Sequence, residues 1–549
     1  MSPSFLSCFR SFYYLLLILL FLSPSISAQE LSDKLLHYEL IHKNDFRHNA
    51  IPEKQEAPTD AVKLVQQVHF YALNRSFSLH LSPHQNLFSS SFKAVTMDTN
   101  GNHKTVPVST RNFHIGHLIG DESSIVTVHI NGENGLITAH ISTDKETFYI
   151  EPALLHTGES HDSHMIVYRL SDVRSNGSIS IDYETAPLQS RIYKESGRHK
   201  SHPLKKRQSR GSDRNTCTLA LVVDYRFYTF LLSSENNVIT TLVSRLFHID
   251  ENSFRPTHWI IDANGNSITN QGLQIGTILI HTGPTSDPSH YNSEESGQVE
   301  AQDLLRRFSR GDWSSYCLAH LFTHRQFSSG KLGLAYIASP GVGETGGICS
   351  QRVIDSFTND IVIYNTGVSV ASTGKRLLLP HESELVIAHE IGHSWGSPHD
   401  PGTDTNCRLK YLMNEFIQDN SEGTHQKFSP CSRISIGRVL ANKATCFQGR
   451  STSNCGNYMI DDGEECDGGR LTVDDQDSCC ASNCKLRKGS NCSDVNHSCC
   501  KDCKVAPANS KICHYVGTIS NDCTRQTYCN GSSYVCPPAL QVTEGTDCL

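Results

Sequence analysis

The chain has 549 residues, a formal net charge of −8 and 19% charged residues. That length exceeds what one hydrophobic core holds, so several units are expected. It has no long basic tract, which argues against a nucleic-acid partner.

The chain opens with Arg10, an apolar run from Phe12 to Leu22, and then Ser27-Ala28. A basic flank, a short apolar core and a small residue describe a signal peptide, so residues 1–28 are expected to be removed after Ala28. The run is short for a membrane span, which disfavours a signal anchor, and no second run approaches spanning length. Of 21 cysteines, Cys8 lies in this leader, none falls from Gln29 to Thr216, six lie from Cys217 to Cys446, and fourteen from Cys455 to Cys548. Even counts behind a signal peptide predict disulfides formed in the secretory pathway. N-x-S sequons at Asn74, Asn176, Asn491, Asn496 and Asn530 agree with that route.

Residues 29–210 carry alternating apolar patterns. Phe77 to Leu81 and Ile125 to Ile130 read as strands, with Gly-Asn and Asn-Gly pairs as turns, so a compact β-rich unit is expected. It ends in a polar, basic linker containing Lys205, Lys206, Arg207 and Arg210. This suits a subtilisin-like processing protease cutting after Arg207 or Arg210, which would make the unit a prodomain.

Residues 211–450 alternate strands and helices. Cys217 to Asp224, Leu273 to His281, Tyr316 to His324 and Leu332 to Ile337 read as strands, Arg226 to His248 as helix, and Glu384 to Trp395 as a further helix. Residues 451–549 have few apolar runs and about one cysteine in seven, so disulfides must hold them. A zinc ribbon at Cys500-x-x-Cys503 is the competing reading, disfavoured in an oxidising compartment.

The stretch from His389 to Asp400 reads H-E-x-x-H-x-x-G-x-x-H-D. On a helix, His389 and His393 lie four apart on one face and can share a zinc ion. Glu390 points round the helix, within reach of a water on the metal. Gly396, lacking Cβ, lets the chain leave the helix and return His399 to the ion. Three protein ligands leave a position for water, the catalytic arrangement. Met413 downstream fits the Met-turn that floors such sites.

These residues resemble the reprolysin (adamalysin) branch of the metzincins, the ADAM proteases, and most closely the subfamily of tumour-necrosis-factor-α converting enzyme. Arg214 to Tyr228, Cys317 to Thr323, Leu332 to Tyr336 and Gly346-Gly347-Ile348-Cys349 carry the likeness. Cys455 to Asp467 and the pairs Cys479-Cys480 and Cys499-Cys500 resemble the disintegrin-like module of the same enzymes. The resemblance implies a multidomain chain: a β-rich prodomain, an α/β catalytic domain with a mixed, mostly parallel sheet and an active-site helix, and a disulfide-rich disintegrin-like module. It implies disulfides Cys217–Cys317, Cys349–Cys446 and Cys407–Cys431, pairings that spacing does not choose. It implies one catalytic zinc on His389, His393 and His399, Glu390 as general base, and Leu332-Gly333-Leu334 as the edge strand for an extended substrate. Protein substrates, in particular membrane-protein ectodomains, follow as expected partners. An adhesion or decoy protein and a secreted matrix-degrading peptidase are the alternatives. The chain stops at Leu549, at the edge of the disintegrin-like module, which leaves a secreted form and a membrane-anchored longer protein both open.

Three features depart from the pattern. Residues 29–216 lack cysteine, so a thiol switch on the zinc is absent, and any inhibition by the N-terminal unit would be steric. Glu415 and Gln418 follow Met413 where the family has an apolar wall for the S1′ pocket. Lys331 precedes the substrate strand and adds charge there. Arg310-Gly311-Asp312 spells an integrin-binding tripeptide, but outside the disintegrin loop from Cys513 to Cys523, so chance explains it better. Asn457, Glu464, Glu465 and Asp467 offer hard oxygens suited to calcium, as solvated acidic residues also would.

Overall fold

The computed structural model describes residues 31–537 apart from short internal stretches, the longest being 193–213. The leader with Ala28, the processing residues Arg207 and Arg210, Asn457, Gln418, Cys523 and Cys548 lie outside the described residues.

The N-terminal region builds a nine-stranded antiparallel sheet. Its spatial order is Glu39–His42, His164–Arg169, Thr147–Pro152, Ile137–Ser142, Asp121–Ile130, Phe113–Leu118, Arg75–Pro83, Val62–Ala72 and Arg47–Lys54. Period-two patterning puts Phe77, Leu79 and Leu81 on one face with Val68, Val126, Ile141 and Phe148, all buried. Leu73 and Asn74, at φ 52° and 60°, form the tight hairpin turn between two of these strands.

The central region is organised on a second, mixed sheet. Its order is Asp182–Glu184, Gly333–Tyr336, Thr366–Val370, Leu318–Thr323, Arg214–Val223, Gly272–His281, Phe88–Met97 and His103–Val106. The pairings from Thr366–Val370 through to Phe88–Met97 are parallel. Gly333–Tyr336 is antiparallel to its inner neighbour Thr366–Val370. Arg214–Val223 and Gly272–His281 are buried almost throughout, as the central strands of a sheet covered on both faces must be.

Three of these strands come from the N-terminal region, so that region does not close on itself as a compact unit. Gly272–His281 would otherwise be a long apolar edge, and Phe88–Met97 covers it. Gln274 Nε2 donates to Phe88 O at 2.8 Å, and Thr277 Oγ1 to Lys93 O at 3.1 Å, fixing the register. The helix expected over Arg226 to His248 is two helices, Tyr225–Phe230 and Glu235–Ile249. Leu232 and Ser233 adopt positive φ between them, and Ser234 caps the second by accepting from Asn237 N.

Disulfides join Cys217–Cys317, Cys349–Cys446 and Cys407–Cys431 in the central region. The C-terminal region holds Cys455–Cys484, Cys466–Cys480, Cys479–Cys503, Cys492–Cys500, Cys499–Cys529 and Cys513–Cys536. Cys500 and Cys503 thus sit in separate disulfides, which removes the zinc-ribbon reading. Among the described residues no helix is long and apolar enough to cross a membrane.

Candidate metal centre

The motif lies on a buried helix, Pro380–Trp395. Pro380 sits at its first turn, where a missing N–H costs nothing, and the Glu382 carboxylate accepts from Leu379 N at 2.8 Å. Gly396 ends it in the left-handed region at φ 109° and ψ 17°. Trp395 anchors the end among Phe254, Trp259 and Phe447.

That turn carries His399 back beside the other two histidines. Ring centroids stand 4.5 Å apart for His389–His393, 5.2 Å for His389–His399 and 4.9 Å for His393–His399. One nitrogen from each lies within 4.8 Å of the others. His389 Nδ1 lies 2.7 Å from Leu412 O, and His393 Nδ1 lies 2.6 Å from Ser397 O. Carbonyl oxygens only accept, so both Nδ1 atoms carry the proton and donate. Both Nε2 atoms are then lone-pair donors, and they face each other at 2.8 Å. Two neutral acceptors repel at that separation, and a cation bound between them removes the conflict. The residues therefore fit a zinc ion, with backbone carbonyls setting the tautomers. Burial, with His389 and His399 adding to it, holds the His393 imidazole far below the usual histidine range, in the neutral form a metal needs.

Glu390 is fully buried. Its carboxylate lies against Gly333, where a Cβ would stand 2.3 Å from Oε1. Leu332 and Leu334 flank that glycine and are buried. Met413 is fully buried beneath the motif helix, its sulfur beside Gly392. Asp400 turns away from the histidines. Its carboxylate accepts from the Ser429 and Ser432 hydroxyls, and its amide donates to Met413 O at 2.8 Å. It ties the third-histidine loop to the Met413 turn. Glu415 is exposed.

The other expected sites separate from this centre. The Arg310 guanidinium is held by Asp360 at 2.9 Å, and Asp312 accepts from Ser314 Oγ at 2.7 Å, so the tripeptide serves its own domain. Glu465 accepts from Lys485 Nζ and Leu486 N.

Sequence reasoning missed Glu384, which precedes His389 on the same helix and meets the N-terminal sheet. His140 Nε2 lies 3.2 Å from Glu384 Oε1, and Tyr149 OH donates to Glu384 Oε2 at 3.5 Å. His248 from the long helix lies 3.8 Å from the same carboxylate. Asn252 Nδ2 donates to both His248 O and Nδ1, so His248 carries its proton on Nε2, facing Glu384. This cluster is a buried polar joint between the two regions, beside a cavity of about 300 Å³. No local signal in the sequence marks Glu384 apart from Glu382, two residues earlier.

A family model described as metallo-peptidase family M12 matches residues 213–460, and one described as disintegrin matches residues 461–539. Together with the fold, they define the chain as a zinc metalloendopeptidase carrying a disintegrin region. It is 31% identical over 535 residues to the disintegrin and metalloproteinase domain-containing protein 17 homolog of Caenorhabditis elegans, covering 90% of this chain and 75% of the relative. It is 28% identical over 552 residues to disintegrin and metalloproteinase domain-containing protein 10 of Homo sapiens, covering 93% of this chain and 70% of that protein. The chain belongs to the ADAM family.

Proposed function

We propose that the chain is an ectodomain-cleaving endopeptidase of the secretory pathway and cell surface. Residues 29–210 form its prodomain, 211–450 its catalytic domain and 451–549 its disintegrin-like module, after a leader at 1–28. A subtilisin-like protease cuts after Arg207 or Arg210. The observation that supports the reading most directly is the convergence of two Nε2 lone pairs whose Nδ1 protons are committed to backbone carbonyls.

His389, His393 and His399 would hold the zinc. When bound, that ion supplies Lewis acidity, making water more acidic and polarising the scissile carbonyl. Glu390 takes the proton of the attacking water and hands it to the leaving nitrogen. Burial beside Gly333 keeps its carboxylate close to the strand on which the substrate lies. Leu332-Gly333-Leu334 offers main-chain groups to an extended peptide in antiparallel pairing, leaving side-chain choice to the pockets. Glu415 biases those pockets away from a purely aliphatic preference. A calcium site in the disintegrin-like module would draw on Glu464 and Asp467, since Glu465 is engaged by Lys485.

The test is Glu390→Ala in the processed enzyme. Zinc content should stay at one ion per chain while kcat/KM on a quenched peptide falls by at least about 100-fold. Near-normal turnover by the zinc-loaded variant would refute the mechanism.

A further inference from the structure

The strands Val62–Ala72 and Arg75–Pro83 meet in a two-residue turn, Leu73-Asn74, flanked by the pair Ala72 and Arg75. Positive φ at both turn residues matches the right-handed twist of the strands. The turn is held from two sides. Leu73 N donates to Glu39 Oε2 at 2.7 Å, and Arg169 Nη2 donates to Leu73 O at 3.1 Å. Leu73 is buried, while Asn74 is exposed. The next cross-strand pair is Tyr71 with Ser76. It faces outward, because Phe70 and Phe77, one residue along each strand, fill the core. Tyr71 is 65% exposed, and among the described residues its ring has no aromatic partner. A serine opposite is too short to cover it.

Asn74-Arg75-Ser76 is a sequon. The tip of a fixed hairpin thus carries an acceptor asparagine, with a bare aromatic ring three residues before it and the sequon serine opposite that ring. The first sugar of an N-linked glycan presents a face of C–H groups, slightly positive, and the face of a tyrosine ring is negative. Stacking the two removes apolar area of both from water. The sequon at Asn496 is the contrary case. Asn496 Oδ1 accepts from Asp467 N at 2.8 Å, and Asn496 Nδ2 donates to Asp467 O at 2.8 Å. Gripping the N–H and C=O of one residue uses the amide hydrogen on the oxygen's side, the position a sugar takes on Nδ2. A glycan there would break the contact.

We propose that Asn74 carries an N-linked glycan whose first sugar stacks on Tyr71, and that Asn496 stays bare in the secreted chain. The inference rests on the secretory-pathway reading above. In the transfer, Asn74 Nδ2 bonds to C1 of a lipid-diphosphate-linked oligosaccharide. The C1–O bond to the diphosphate breaks, the lipid diphosphate leaves with the electron pair, and Nδ2 gives up one proton. Transfer precedes folding, so the fold decides which modified chains mature. The hairpin accepts a sugar at its tip, whereas only chains bare at Asn496 close the contact with Asp467.

The experiment uses the full chain secreted from a eukaryotic cell. Peptide mass spectrometry after enzymatic deglycosylation in heavy-oxygen water should mark Asn74 and leave Asn496 unmarked. Hydrogen exchange then reads the stacking, because a hairpin opens locally. Removing the glycan should speed exchange over residues 70–78 at least about threefold in wild type, near the low end of what an aromatic contact supplies. In Tyr71→Ser, a surface change that leaves the Phe70 and Phe77 pair intact, removal should leave exchange there unchanged. Asn74 bare while Asn491 or Asn530 carries sugar would overturn the proposal, as would sugar on Asn496. So would equal acceleration in the two proteins, which would leave the glycan without its ring. A chain that stays in the cytosol with every sequon bare would instead sink the secretory reading, and this inference with it.

Discussion

Gly333→Ala tests whether the edge strand positions the general base. A Cβ there would stand 2.3 Å from Glu390 Oε1, 2.7 Å from Cγ and 2.8 Å from Cδ. Ordinary contact begins near 3.4 Å, so the carboxylate must retreat by about 1 Å. A misplacement of about 1 Å in a reacting constellation costs on the order of 100-fold in rate, or about 2.7 kcal/mol of barrier. Overpacking a buried site adds about 1–3 kcal/mol of destabilisation. The histidines keep their backbone partners, so zinc should stay bound. The measurements are kcat/KM of the processed enzyme on a quenched peptide, zinc by mass spectrometry, and the unfolding midpoint. Gly402→Ala serves as control, because Gly402 has nothing within 4 Å of its virtual Cβ and should change nothing. A Gly333→Ala enzyme with zinc intact and kcat/KM within about threefold of wild type would refute the claimed contact.

Thiol modification should not activate the precursor, because residues 29–216 contain no cysteine to release from a metal. Treatment with an organomercurial, followed by the peptide assay, checks this, and a burst of activity would contradict it. The precursor should also lose stability on acidification. Burial lowers His114 and His129 to about 4 and His248, His281 and His320 to about 3, and holds His140 well below its usual range. The unfolded chain protonates these groups near 6.5 while the folded chain does not. Their contribution is therefore complete above pH 6.5 and is lost as pH falls toward the folded values, each histidine supplying up to about 1.4 kcal/mol per pH unit. Glu384, raised by burial against the pull of Arg245, works in the opposite direction and offsets about one of them. Thermal unfolding should shift downward between pH 7 and pH 5.5, and an unchanged or higher midpoint would break the reasoning.

Where a feature is encoded over short range, the sequence shows it. The four-residue spacing of His389 and His393, the Cβ-free exit at Gly396 and the alternation around Phe77 to Leu81 act through local backbone geometry, and each has its structural counterpart. The break at Leu232 and Ser233 escaped because neither residue advertises a positive φ. The strands Phe88–Met97 and Asp182–Glu184 escaped for another reason. They join the central sheet through main-chain hydrogen bonds, and main-chain groups are the same for every sequence. The contact of His140 with Glu384 spans hundreds of residues, and a glutamate near a helix start reads as an exposed first-turn acid. Glu382 does cap the helix, and only the fold shows that Glu384 does not.

The N-terminal region meets the central region at several separated places, and their arrangement bears on how the two would part. Phe88–Met97 extends the central sheet from one side, and Asp182–Glu184 closes it from the other. His140 reaches the motif helix between them through Glu384. None of these contacts depends on the chain being continuous through the basic linker. A cut there removes only the effective concentration that tethering supplies. The pairing of Phe88–Met97 on Gly272–His281 is longer than that of Asp182–Glu184 on Gly333–Tyr336. The cysteine-free N-terminal region thus meets the rest of the chain through backbone pairing and a buried polar joint, contacts that need no thiol.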